Sequence, residues 1–65
     1  MMILVNDETK TITSTMLADA LIELGYGDTK VATAIDGLFV PRSARGSCAL
    51  EEGCRLEILA PMQGG

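Results

Sequence analysis

The sequence predicts an α+β fold: one mixed sheet of four to five strands, covered on one face by a single main helix, with a flexible tail after residue 60. Three observations predict it. Five short stretches have the β-branched or alternating character of strands, only one stretch carries a helical apolar stripe, and 65 residues leave no room for a second domain. One helix then has one sheet face to cover, which is the economical two-layer solution for this element order.

Met1 to Val5 is an apolar run, Asn6-Asp7-Glu8 is turn chemistry, and Thr9 to Thr13 alternates around Ile12, so the first two segments read as a hairpin. Ser14 and Thr15 are expected to cap the next segment, because their hydroxyls can accept hydrogen bonds from helical N–H groups. From Met16 to Leu24, Leu17, Ala20, Leu21 and Leu24 recur at i, i+3, i+4 and i+7, with Asp19 and Glu23 opposite, which predicts an amphipathic helix. Gly25 stands where a left-handed residue would end it, and Gly27-Asp28 extends the break.

Val31 to Ile35 and Leu38 to Val40 read as strands joined by Asp36-Gly37, a pair favoured in two-residue hairpin turns. Pro41 closes the second of them, since it cannot donate a ladder hydrogen bond. Arg42 to Cys48 has no apolar period and is expected to be a loop with room for a short helical turn; a ferredoxin-like fold would need a second full helix there. After the Glu51-Glu52-Gly53 turn, Leu56, Ile58 and Ala60 alternate with Arg55 and Glu57, and Leu59 makes both faces apolar, as in an interior strand. The first and last strands are the most apolar, so they are placed side by side at the centre, where both faces can be covered.

Composition removes several functions. Nine acidic against five basic residues give a net charge of −4 with no Lys/Arg stripe, so nucleic acid is not an expected partner. The longest apolar stretches fall far short of the roughly 20 residues that span a bilayer, so no membrane association is expected either. With no His or Trp, one Tyr and one Phe, most general bases, metal ligands and stacking platforms are missing, and the chain is not expected to be an enzyme. Two cysteines and no visible leader suit a reducing, cytoplasmic setting in which Cys48 and Cys54 are passive free thiols. Arg42, Arg45 and Arg55 read as solvated surface charges, and Glu51 and Glu52 as turn solubilisers rather than a catalytic pair.

The tail carries the functional signal. Residues 1–60 read as the domain and residues 61–65, Pro61-Met62-Gln63-Gly64-Gly65, as a flexible Gly-Gly tail, because Pro61 interrupts pairing and two glycines offer nothing to pack. With seven glycines in 65 positions, a pair in the last two places arises by chance about 1% of the time. Glycine lacks Cβ, so such a tail can thread a narrow channel and present a carboxylate inside a partner; five extended residues reach roughly 16 Å. A carboxylate is a poor electrophile, so chemistry at Gly65 would need activation by another enzyme.

The Asp36-Gly37 turn leading to Val40-Pro41-Arg42-Ser43, then Leu50-Glu51-Glu52-Gly53, Leu56-Glu57-Ile58-Leu59 and the Pro61-Met62-Gln63-Gly64-Gly65 tail, together resemble the ThiS family over essentially the whole chain. The resemblance implies a ubiquitin-like β-grasp fold and a sulfur carrier of thiamine (thiazole) biosynthesis. It implies that an E1-like, ThiF-type adenylyltransferase uses MgATP to adenylate the Gly65 carboxylate. Sulfur from a donor such as a cysteine desulfurase persulfide then makes Gly65 a thiocarboxylate, 1-thioglycine, which a ThiG-type thiazole synthase consumes. Met62, Gln63 and Gly64 would lie in the partner's active site with Gly65, no protease would be needed to expose the diglycine, and the chain itself would bind no cofactor. The chain departs from the family pattern at Cys54, where a polar residue is common, and at 44–48, which lacks a bulky aromatic. Two alternatives stay open: a carrier of the molybdopterin synthase small-subunit type, against which Pro61-Met62-Gln63 speaks, and a ubiquitin-like modifier. The modifier is the reading from a different class, and a plain binding module with an incidental tail is the third possibility. Leu4 and Leu59 are the expected docking residues on the face away from the helix.

Overall fold

A computed structural model describes residues 1–27 and 29–60. In chain order these form strand β1 (Met2–Val5), β2 (Glu8–Thr11), helix α1 (Leu17–Glu23), β3 (Ala32–Ile35), β4 (Leu38–Val40), a 3-10 helix (Arg42–Ser47) and β5 (Arg55–Leu59). The five strands make one sheet in the order β2-β1-β5-β3-β4, with β1 and β5 parallel and the other neighbours antiparallel. The α+β class, the single helix and the adjacency of the first and last strands agree with the expectation from sequence.

Both hairpins close through two residues at positive φ. Asn6 and Asp7 sit at 50° and 69°, Asp36 and Gly37 at 49° and 86°, a backbone matched to the right-handed twist of the flanking strands. Because Asn6 and Asp7 suffice for the first turn, Glu8 already pairs with Val5, and β2 begins one residue earlier than the turn Asn6-Asp7-Glu8 allowed. It also stops earlier: Ile12 leaves the named strand to plug the core at 1% exposure, held by its N–H to the Met1 carbonyl at 2.8 Å.

The expected cap of α1 is corrected. Met16, not Ser14 or Thr15, is the residue preceding the first helical turn, and it makes no side-chain cap. The Leu17 N–H donates instead to the Cys48 carbonyl at 2.8 Å, while the Leu50 N–H donates to the Thr15 carbonyl at 2.8 Å, so a single antiparallel bridge at Met16–Ala49 seats the helix start. Ser14 is engaged elsewhere, with Glu23. At the other end Gly25 takes φ 96° as expected, and the Gly25 and Tyr26 N–H groups donate to the Ile22 and Leu21 carbonyls, the paired bonds of a Schellman ending.

The Arg42–Ser47 segment, expected as a loop with a short helical turn, is six residues of 3-10 helix. Pro41 enters it with φ −67°, and the short Ser43, Ala44, Gly46 and Ser47 side chains tolerate the tight winding. Ile3, Val5, Leu56 and Ile58 from the sheet meet Leu17, Ala20 and Leu21 from the helix in the core, with Leu50 and Cys54 beside them. Only this face is covered, which corrects the expectation that β1 and β5 would be buried on both sides: Leu59 is 69% exposed.

Candidate functional site

The predicted site residues Met62, Gln63, Gly64 and Gly65 lie outside the described residues, as does the expected flexible tail of which they are part. The structure does describe where the chain departs for them. Strand β5 is the middle strand of five, bonded along one side to β1 and along the other to β3, so the residues before Pro61 emerge from the best-anchored strand in the sheet.

Asn6 strengthens this root in a way that residue types alone did not reveal. Strand β1 ends at Val5, which pairs with Leu56, while β5 runs on to Leu59. The Asn6 amide supplies the missing rung: its Oδ1 accepts from the Ile58 N–H at 2.8 Å and its Nδ2 donates to the Ile58 carbonyl at 3.1 Å. A primary amide carries the same donor and acceptor as a peptide group, so the side chain continues the ladder after the backbone has turned away. The left-handed φ of Asn6 is one that Asn tolerates better than most residues, which is why one residue can serve both turn and rung.

The sheet face away from α1 can be read from register. Phe39 pairs with Ala34, which pairs with Glu57 on its other side; Ala32 pairs with Leu59; and Leu4 stands beside Arg55 across the parallel ladder. Phe39 and Leu59 are 68% and 69% exposed and lie one row apart over the small side chains of Ala32 and Ala34. Leu4 is half-buried and Met2 is largely open on the same face. Of the two docking residues expected there, Leu59 is thus strongly exposed and Leu4 contributes less. Phe39 was missed because its strand is short and ends at Pro41, which hides the alternation that would have revealed its face.

Charges edge this surface. Arg55 donates to Asp7 at 2.9 Å, and that hydrogen bond with the adjoining negative charge raises its already high pKa. Asp36 accepts from the Arg55 N–H at 2.9 Å, tying the β3–β4 turn to the start of β5. Two of the other charges expected to be solvated, Arg45 and Glu52, have partners too, whereas Arg42 and Glu51 are exposed as expected. The Arg45 side chain is half-buried, donating from Nε to the Thr33 hydroxyl at 3.1 Å and from Nη2 to the Val31 carbonyl. Glu52 accepts from the Met2 N–H at 3.2 Å through both oxygens, so it latches the start of β1 rather than only solubilising a turn.

On the helix side, Glu23 gathers the segment that leads into α1. Its carboxylate accepts from the Ser14 hydroxyl at 2.7 Å and from the Thr13 and Ser14 N–H groups at 2.9 and 3.0 Å. The Ser14 hydroxyl first, then these backbone donors, hold its pKa below the ordinary value. Cys48 and Cys54 are both free thiols, Cys54 buried in the core as a small apolar side chain. Among the described residues no group of three His, Cys, Asp or Glu is arranged to hold a metal, and no helix is long and apolar enough to cross a membrane.

Exposed apolar side chains edged by charges, as on the face away from α1, suit contact with a partner's surface. A comparison with curated protein sequences finds no match. Among solved structures, the crystal structure of a thiamine biosynthesis protein (ThiS) from Geobacter metallireducens superposes with a TM-score of 0.84, at 23% identity and with 100% of both chains covered. That likeness establishes the ubiquitin-like β-grasp fold. The model of the ThiS family matches residues 3–65, a span that takes in the helix, the diglycine and all of the sheet except Met2. The chain belongs to the ThiS family.

Proposed function

We propose that this chain, a small sulfur carrier of thiamine biosynthesis by its family, carries sulfur as a thiocarboxylate on Gly65. The observation that carries the reading is the family match running through Gly64-Gly65, on a fold whose central strand leads into the tail. A ThiF-type adenylyltransferase would join AMP from MgATP to the Gly65 carboxylate and release pyrophosphate. The terminal sulfur of a donor's cysteine persulfide would then attack the acyl carbon and displace AMP. A thiol would reduce the resulting acyl disulfide, leaving the thiocarboxylate on Gly65 and a disulfide on the donor side. A ThiG-type thiazole synthase would take the sulfur and return the carboxylate, so the chain is a reloaded cosubstrate and not a catalyst.

The division of labour suits the molecule. Met62, Gln63 and Gly64 would occupy the partner's channel, where glycine's missing Cβ allows close approach, while Phe39 and Leu59 would hold the domain against the partner's surface. The test is intact-protein mass spectrometry after incubation with an E1-like enzyme, MgATP and a persulfide source. Exchange of one oxygen for sulfur adds about 16 Da to the activated acyl group. The gain is expected with the full chain and absent when Gly65 is deleted. A gain that persists without Gly65, or no gain with an enzyme active on another carrier, would overturn the reading.

A further inference from the structure

We propose that the cleft between α1 and the 3-10 helix binds an acidic peptide segment of a partner protein, with an apolar side chain of that segment seated between its carboxylates. The cleft is an open depression of about 460 Å³, and its apolar lining includes the buried Leu21 and the half-buried Val31 and Tyr26. Its rim carries Lys30, Arg42 and Arg45. These are three of the five basic residues in a chain of net charge −4. The other two, Lys10 and Arg55, form the salt bridges found among the described residues, with Glu8 and Asp7. Positive charge is therefore concentrated at one place on an otherwise acidic molecule, with no described carboxylate in ion-pair contact with it.

The backbone explains the concentration. A 3-10 helix has three residues per turn, so Arg42 and Arg45 project from the same side, one above the other. Arg45 is further held by its bonds to the Thr33 hydroxyl and the Val31 carbonyl, and Thr33 is itself fixed by donating to the Val40 carbonyl at 2.9 Å. A guanidinium immobilised in this way has lost most of its rotamer freedom before any ligand arrives, which lowers the entropic cost of binding. A bare phosphate would satisfy the cations and leave the apolar lining open to water. An acidic segment bearing a leucine-sized side chain satisfies both, and the cleft lies on the helix side of the molecule, away from Phe39 and Leu59.

The test is an NMR titration of the 15N-labelled full chain with the peptide Glu-Leu-Glu-Leu-Glu, with Lys-Leu-Lys-Leu-Lys and inorganic phosphate as separate arms. Saturable shifts are expected for the amides around Tyr26, Val31, Arg42 and Arg45 with the acidic peptide, weakening as salt rises and absent with the basic peptide. The exposed Arg42→Glu variant should retain the dispersed spectrum of the folded chain and bind about five-fold more weakly, the size of one or two exposed ion pairs. Equal affinity for phosphate would make the cleft a small-anion site and overturn the proposal. Shifts centred on Phe39 and Leu59, or no shifts at millimolar peptide, would overturn it as well.

Discussion

Leu56 and Leu59 stand three residues apart on the same strand and have opposite fates: Leu56 is 0% exposed beneath α1, and Leu59 is 69% exposed on the other face of the sheet. The covered face is shut by packing and by polar ties at its margins, among them Asn6 to Ile58 and Glu23 to the 13–14 segment. The open face has Phe39 and Leu59 over alanines, with none of the described residues above them. A 65-residue chain has little apolar surface to spare, so leaving a Phe and a Leu in water is explicable when they are buried part of the time against something else.

That contrast can be broken from the covered side first. Leu56→Ala should cost about 2–5 kcal/mol in urea unfolding, a large part of the roughly 3–10 kcal/mol a domain of this size possesses. A loss below about 1 kcal/mol would mean that the core collapses around the cavity and that the two faces differ less than their burial indicates. Asn6→Gly keeps the left-handed turn and removes only the side-chain rung, so it should cost about 1–3 kcal/mol through the unpaired Ile58 groups. Hydrogen exchange should show Ile58 losing protection before Leu56 does.

Glu23 sharpens the comparison through pH. Its folded pKa lies below the ordinary 4.5, so its contribution is fully present above that value and is lost as pH falls through the depressed folded one. Thermal melts from about pH 7 to about pH 3 should show a decline that Glu23→Gln reduces, because the amide does not titrate. The smallest stability change belongs to the open face. Leu59→Ser and Phe39→Ser should alter unfolding free energy by no more than about 0.5 kcal/mol. If that face docks the activating enzyme, loading should slow by about ten-fold, read as the initial rate of the mass gain. Normal loading would remove the docking role and leave the exposure unexplained.

Much of the fold was legible because its signals are local. Asp36-Gly37 specified a hairpin by the φ values it permits, and the Leu17-Ala20-Leu21 stripe with Gly25 specified a helix and its end. The features that escaped depend on neighbours distant in sequence. Ser14 looked like a cap because capping is the common use of serine before a helix, and only the fold brings Glu23 round to claim it. Asn6 looked like turn chemistry and nothing more, since its partner is Ile58, 52 residues away. Arg45 looked solvated until β3 came alongside. For the candidate site, Leu59 could be placed by alternation along β5, whereas three residues of β4 were too few to place Phe39. The diglycine itself was plain in the sequence.

The parallel pairing of β1 with β5 also has a mechanical side. Because these neighbours run in the same direction, the start of β1 and the exit of β5 lie at opposite ends of the pair. A pull on the chain beyond Ala60, resisted near Met2, therefore loads the ladder along its length instead of peeling it from one end. Several hydrogen bonds must fail together, the side-chain rung from Asn6 among them. A load applied beyond Ala60 would therefore leave the domain behind it with its shape intact.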